Sequence, residues 1–154
     1  RIEQRLSIYD DNFNKLFDAI ESKELKPKQG IFYEGQIFDA YAFVSELIKS
    51  AKKSIILIDN YVDETVLTML SKNQEIQISI YTKTISKQFK LDLEKYNSQY
   101  KTLTLKEFDL SHDRFLLIDD EIYHIGASLK DLGKKWFGFS KMHKESFEII
   151  GRIN

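Results

Sequence analysis

Apolar positions recur along the chain with several distinct spacings, and those spacings divide it into elements. Over the first twenty residues, Ile2, Leu6, Tyr9, Phe13, Leu16 and Ile20 follow a 4-3-4-3-4 spacing, with polar residues at most other positions. That is a heptad seam and predicts an amphipathic helix. Two fates for the seam stay open: packing against its own domain, or ending a coiled-coil stalk that pairs two chains. Residues 21–30 are polar, contain the only proline, Pro27, and end at Gly30, so they read as a linker. The expected organisation is an N-terminal helix and linker over 1–29, then one folded domain over 30–154.

Beyond the linker the pattern alternates. Ile31 to Tyr33 suits a short strand. Phe38, Tyr41, Phe43, Val44, Leu47 and Ile48 fall at helical spacing within residues 37–51. Ser54-Ile-Ile-Leu-Ile-Asp59 is a continuous β-branched run, as in a strand buried on both faces. Residues 63–71 suit a short helix, Ile76 to Tyr81 a strand, and residues 86–99 a helix with Ser86 as its N-cap. Leu103–Phe108, Arg114–Asp119 and Glu121–Ile125 read as strands, the last two joined by a hairpin turn at Asp119-Asp120. Ser128 is placed to cap a short helix toward Lys135, and residues 143–151 predict a closing helix. Alternation of this kind predicts an α/β domain: a mostly parallel mixed sheet with helices on both faces.

Composition narrows the chemistry. The 154 residues suffice for one domain with a proper core. With no cysteine, disulfides and thiolate metal sites are excluded. The three histidines are scattered without ligand spacing, so neither a metal nor another cofactor is expected. No apolar run approaches the roughly 20 residues of a membrane helix and no signal peptide is visible, so a cytoplasmic protein without a membrane partner is expected. The formal net charge is −1, without the basic excess common in nucleic-acid binders, so any anion site must be local. The chain begins at Arg1 rather than Met, and is expected to be a fragment whose preceding segment carries part of the function.

The chemistry concentrates between Ser111 and Ser128. His112 and Arg114 are two residues apart, so on a strand both side chains leave one face. A guanidinium binds phosphate oxygens through a fork of donors, and an imidazole beside it can act as nucleophile or general acid/base. Gly126 permits close backbone approach. Ser128 would add a hydroxyl and an amide to the same anion, with Lys130, Lys134 and Lys135 nearby. Asp59, Asn60 and Tyr61 end the β-branched strand, where open α/β sheets place ligands, and are candidate site-lining residues. Asp119 is expected to hold the turn more than to react. His124 reads as a structural histidine and His143 as a solvated one. Trp136, Phe137 and Phe139 are read as core or dimer packing in preference to base stacking.

The spaced set resembles the phospholipase D superfamily. That family carries His-x-Lys, four residues, Asp, six residues, then Gly-Ser/Gly-x-Asn or close variants. Here His112-Asp113-Arg114 is followed by four residues, Asp119, six residues and Gly126-Ala127-Ser128. Arg114 stands where the family has Lys, and Leu129 where the Asn often lies. The resemblance implies a catalytic set of His112, Arg114 and Asp119: His112 attacks phosphorus to form a phosphohistidine, Arg114 holds phosphate oxygens, and Asp119 orients nearby groups, without a metal. Phosphate contacts would come from Arg114, Ser128, Lys130 and Lys134. Family members with one motif per chain pair two chains to build one site, so a homodimer is implied. A second resemblance covers nearly the whole chain. Asp59-Asn-Tyr-Val-Asp63, His112-Asp-Arg-Phe115 and Tyr123-His-Ile-Gly-Ala-Ser-Leu-Lys-Asp-Leu-Gly-Lys-Lys135 look like a domain at the C-terminus of bacterial and phage-type DNA-binding proteins. Those proteins carry an N-terminal "open reading frame six N" domain related to KilA-N. This implies nucleic acid as a partner, met mainly through the upstream domain, in a mobile-element or regulatory setting. Three readings remain: a metal-independent phosphodiesterase or nuclease, a phosphate-sensing or dimerisation module that has lost catalysis, and a purely structural oligomerisation domain.

Overall fold

In the computed structural model, residues 28–143 and 146–154 are described; the heptad seam lies outside them. Seven strands form one sheet: β1 (Gln29–Phe32), β2 (Ser54–Ile58), β3 (Gln77–Thr82), β4 (Thr104–Glu107), β5 (Arg114–Ile118), β6 (Glu121–Ile125) and β7 (Phe137–Met142). The helices are α1 (Ile37–Ser50), α2 (Glu64–Leu70), α3 (Lys87–Gln99) and α4 (Ser146–Ile153), with a 3-10 turn at Leu129–Asp131. The strand order is β1-β7-β6-β5-β2-β3-β4.

The α/β class, the mixed sheet and the order of nearly all elements match the sequence expectation. The balance of strand directions does not. Only β2–β3 and β3–β4 run parallel, whereas β2–β5, β5–β6, β6–β7 and β1–β7 are antiparallel. Parallel neighbours need a crossover, and only α2 and α3 supply one within the sheet. After β4 the chain instead returns across the sheet end to β5, then folds back through two short connections. Strand β7 was missed in the sequence. Its period-2 signal, Phe137-Gly-Phe139, is short and sits among glycines and lysines. The Lys130–Lys135 stretch forms only a single 3-10 turn.

Alternation along the strands sorts side chains between faces. Ile55 and Leu57 of β2, Ile78 and Ile80 of β3, Leu116 and Ile118 of β5, and Tyr123 and Ile125 of β6 share a core with Phe43, Leu47, Val66, Leu70 and Phe89 of α1, α2 and α3. Phe32, Phe137 and Phe139 extend it across β1 and β7; the Phe43 and Phe139 ring centroids lie 4.3 Å apart. Helix α4 serves the other face, where the Tyr81 hydroxyl donates to Asn154 Oδ1 at 3.2 Å. Asp63 and Ser86 cap α2 and α3, accepting from the amides of Thr65 and Phe89. Among the described residues no helix is long and apolar enough to cross a membrane.

Candidate phosphodiester site

One end of the sheet gathers the C-terminal ends of β2, β3, β4 and β6 with the N-terminal ends of β5 and β7. The chain from Phe108 to Asp113 crosses this end. It is tied to β3 by the Phe108 amide on the Thr82 carbonyl at 2.8 Å, and to the end of β2 by Asn60 Nδ2 on the Ser111 carbonyl at 3.0 Å. Strand β2 has β3 on one side and β5, reached by this crossing, on the other. Open sheets offer a crevice at such a point.

Asp59 organises this end of the sheet. It is fully buried, yet its carboxylate accepts the Tyr61 amide at 3.1 Å, the Leu129 amide at 2.9 Å and the Ser128 hydroxyl at 2.9 and 3.0 Å. Burial raises its pKa above the ordinary carboxylate value; the amides of Leu129 and Tyr61, the Ser128 hydroxyl and the nearby Arg114 charge oppose that rise. Ser128 also reaches the Tyr61 carbonyl at 2.8 Å. One buried acid thus fixes both the β2 end and the Gly126–Leu129 turn. Gly126 is required there: its amide donates to the Gly138 carbonyl at 2.8 Å, and a Cβ would fall 2.8 Å from that same oxygen.

Arg114 and His112 lie at this same end, but β5 begins at Arg114, so His112 precedes the strand and does not share its face by strand alternation. Arg114 opens β5, opposite Ile125 of β6 and on the face shared by Leu116. Its Nη2 donates to the Gly126 carbonyl at 2.5 Å, while Nε is buried without a partner. The guanidinium is therefore held by the glycine turn that the spaced motif contains. His112 precedes it in the crossing segment and is exposed. Asn60 and Tyr61 belong to the same site end, Tyr61 being 60% exposed.

Other expected site residues fall differently. Asp119 does not join His112: it follows β5 at the opposite end of the sheet, about 17 Å from Arg114 at the rise of a strand. There its carboxylate accepts the amides of Lys52, Lys53 and Ser54 at 3.1, 2.7 and 3.2 Å, which removes it from a catalytic set and makes it a turn clamp. Ser128 is buried and directs its hydroxyl inward, so it supports the turn and does not cap the 3-10 segment with its side chain. Lys130 and Lys134 lie near the site but both bind Asp131, at 3.0 and 2.9 Å. These contacts raise the Lys130 pKa and, Lys134 first, lower that of Asp131. His124 occupies the other face, 3.3 Å from Asp113 and edge-on to Phe115. Sequence reasoning missed this Asp113 contact because the two residues meet only through the β5–β6 register.

No protein-family model and no curated protein matches the chain. Solved structures do. NucT from Helicobacter pylori aligns with a TM-score of 0.57 at 12% identity, over 82% of this chain and 91% of its own. Phosphatidylserine synthase from Haemophilus influenzae Rd KW20 gives 0.52 at 12% identity, over 82% of this chain and 36% of its own. TrmBL2, an archaeal chromatin protein, gives 0.51 at 15% identity, over 99% of this chain and 58% of its own. NucT and the phosphatidylserine synthase are phospholipase-D-like superfamily members. At these identities the likeness concerns architecture, and it shows that this chain has the phospholipase-D-like α/β fold.

Proposed function

We propose that this domain binds a phosphodiester at the Asp59 end of its sheet and cleaves it as a homodimer, without a metal. The observation that carries the reading is the Arg114 guanidinium, held by the Gly126 carbonyl at the sheet end where the exposed His112 lies two residues earlier in the chain. In the reaction, a His112 imidazole nitrogen forms a bond to phosphorus as the bond from phosphorus to the leaving oxygen breaks. The same histidine of a second copy gives its proton to that oxygen, then takes one from the water that hydrolyses the phosphohistidine. Arg114 balances charge on the phosphate oxygens. Nucleic acid is the proposed substrate class. The support is the resemblance to C-terminal domains of DNA-binding proteins, together with the fold shared with TrmBL2, whose structure is described as showing a novel mode of DNA binding. The proposed setting is a cytoplasmic, mobile-element protein whose upstream domain contacts DNA.

The test is cleavage of DNA, RNA and a simple diester by the wild-type chain and by His112→Ala, with association state measured by sedimentation. Loss of cleavage in the variant, in dimeric protein, supports the reading. Equal binding and cleavage by both forms would show that His112 is not the site.

A second reading has its own observation. Arg114 replaces the family Lys, and its Nη2 is already engaged by Gly126. A module that senses phosphate without cleaving it would keep this arrangement. Such a module predicts no turnover by wild type and a gain of diesterase activity in Arg114→Lys.

A further inference from the structure

Among the exposed aromatic residues, Tyr61 and Trp136 stand at the end of the sheet that holds His112, the first held through its backbone and the second through its ring. Tyr61 is 60% exposed, yet its backbone is pinned on both sides. Its amide donates to Asp59 Oδ1 at 3.1 Å, and its carbonyl accepts from Ser128 at 2.8 Å. The preceding residue, Asn60, is bonded to Ser111, the residue before His112. Tyr61 and His112 therefore flank one hydrogen-bonded pair. Trp136 is 61% exposed and immediately precedes β7. Its indole N–H donates to the Glu34 carboxylate, and the ring meets Tyr33 edge-on at 4.7 Å between centroids. Phe137 and Phe139, grouped with Trp136 in the sequence, are instead buried in the core.

Exposed aromatics are ordinary when they are single and loosely held. The backbone of Tyr61 and the ring of Trp136 are anchored, and the two residues lie at the site end on either side of it. Strands β5 and β6 separate the end of β2 from the start of β7, so three strand spacings, roughly 14 Å, lie between them. The intervening turn carries Lys130 and Lys134, which share Asp131, and Lys135, exposed beside Trp136, leaving a net positive charge there. Flat aromatic faces interleaved with cations suit an extended strand whose bases are unstacked, and suit a duplex poorly because its bases are already stacked.

We propose that Tyr61 and Trp136 are stacking stations for nucleobases on either side of the phosphate site, so that the ligand is a single-stranded polynucleotide. This rests on the phosphodiester reading above and adds what lies on each side of the phosphate.

Trp136 is the only tryptophan of the chain, so its fluorescence reports its own station. The experiment titrates His112→Ala, which prevents turnover, with a single-stranded oligonucleotide. In parallel, the affinity of a labelled oligonucleotide is measured by anisotropy. Saturable quenching is expected, together with affinity that falls as salt rises. An abasic strand of equal length should bind at least about tenfold more weakly and quench little. Added to His112→Ala, Tyr61→Leu and Trp136→Leu should each cost about tenfold, whereas Tyr61→Phe should retain affinity. Equal binding of abasic and normal strands overturns the proposal, as does quenching by phosphatidylglycerol vesicles but not by the oligonucleotide. If wild type still shows His112-dependent cleavage of a simple diester in those cases, the stacking stations fail while the phosphate site stands. Base-dependent quenching without any cleavage by wild type would keep the stations and overturn the catalytic reading.

Discussion

Each end of the β2–β5 pair is closed by an aspartate that collects backbone amides, and the two do different work. At the far end Asp119 binds the amides of Lys52, Lys53 and Ser54 and adopts a left-handed φ of 56°, as a tight hairpin needs at its first turn position. Its neighbours Lys53 and Asp120 point to solvent and meet at 3.9 Å in an exposed ion pair, which contributes little. At the other end Asp59 is fully buried and joins residues nearly seventy positions apart. By holding the backbone there it leaves His112 and Tyr61 exposed above a rigid base. The same device is a hinge pin at one end and the foundation of a site at the other.

Removing each pin should separate the roles. Asp59→Ala leaves the Leu129 and Tyr61 amides and the Ser128 hydroxyl without their buried acceptor. It should cost about 3 kcal/mol in urea denaturation and abolish anion binding measured by calorimetry; a loss below about 1 kcal/mol would mean that the cradle does not hold the turn. Gly126→Ala drives a Cβ against the Gly138 carbonyl and should cost about 2 kcal/mol, weakening phosphate binding through the displaced Arg114. Asp119→Ala should cost about 1 kcal/mol and leave anion affinity unchanged, since three partly solvated amides lose one acceptor far from the site. An equal loss of affinity in this variant would place Asp119 back in the site. His124→Gln, which replaces a half-exposed pairing with Asp113, should shift stability by less than about 1 kcal/mol.

Acid separates Asp59 from a third aspartate. The folded pKa of Asp59 is raised above 3.8, so the native state binds its proton more tightly than the unfolded chain does. Its contribution to stability is present below pH 3.8 and is lost as pH rises through the higher folded value. Asp131, held below 3.8 by Lys134 and Lys130, contributes above that value and loses its contribution as pH falls. As pH rises above 3.8 the Asp59→Asn variant should therefore gain stability with pH more steeply than wild type. Denaturation at several pH values reads the difference, and parallel curves would show that Asp59 does not titrate with folding.

Much of this was legible along the chain because it is local. The β-branched run gave β2, Ser86 marked the start of α3, and Asp119-Asp120 marked the hairpin. The spacing from His112 to Gly126 survived into space because β5 and β6 form that hairpin, which brings residues 114 and 125 opposite one another. The same geometry explains why Asp119 holds the turn, as its place in Asp119-Asp120 suggested, and lies far from His112. A strand carries the fifth residue past Arg114 away from it, and spacing alone does not say that the motif spans both ends of the sheet. Three facts had no local signature: the antiparallel pairing of β2 with β5, the inward turn of the Ser128 hydroxyl toward Asp59, and the contact of Asp113 with His124. Each depends on which distant segment becomes a neighbour.

The pairing of β1 with β7 has a consequence for how the molecule forms. Gln29 lies opposite Ser140, so this ladder closes a loop of more than a hundred residues. The Gly126 turn leans on Gly138 of the same late strand. Contacts so distant in sequence are slow to make, because the chain must give up its loop entropy before they reward it. During synthesis the β2–β3–β4 half can assemble while the cradle under Arg114 still lacks its outer wall. The cradle under Arg114 is thus completed only near the end of folding, and on the proposed phosphodiester reading, refolding followed by phosphate binding should lag behind refolding followed by helical signal.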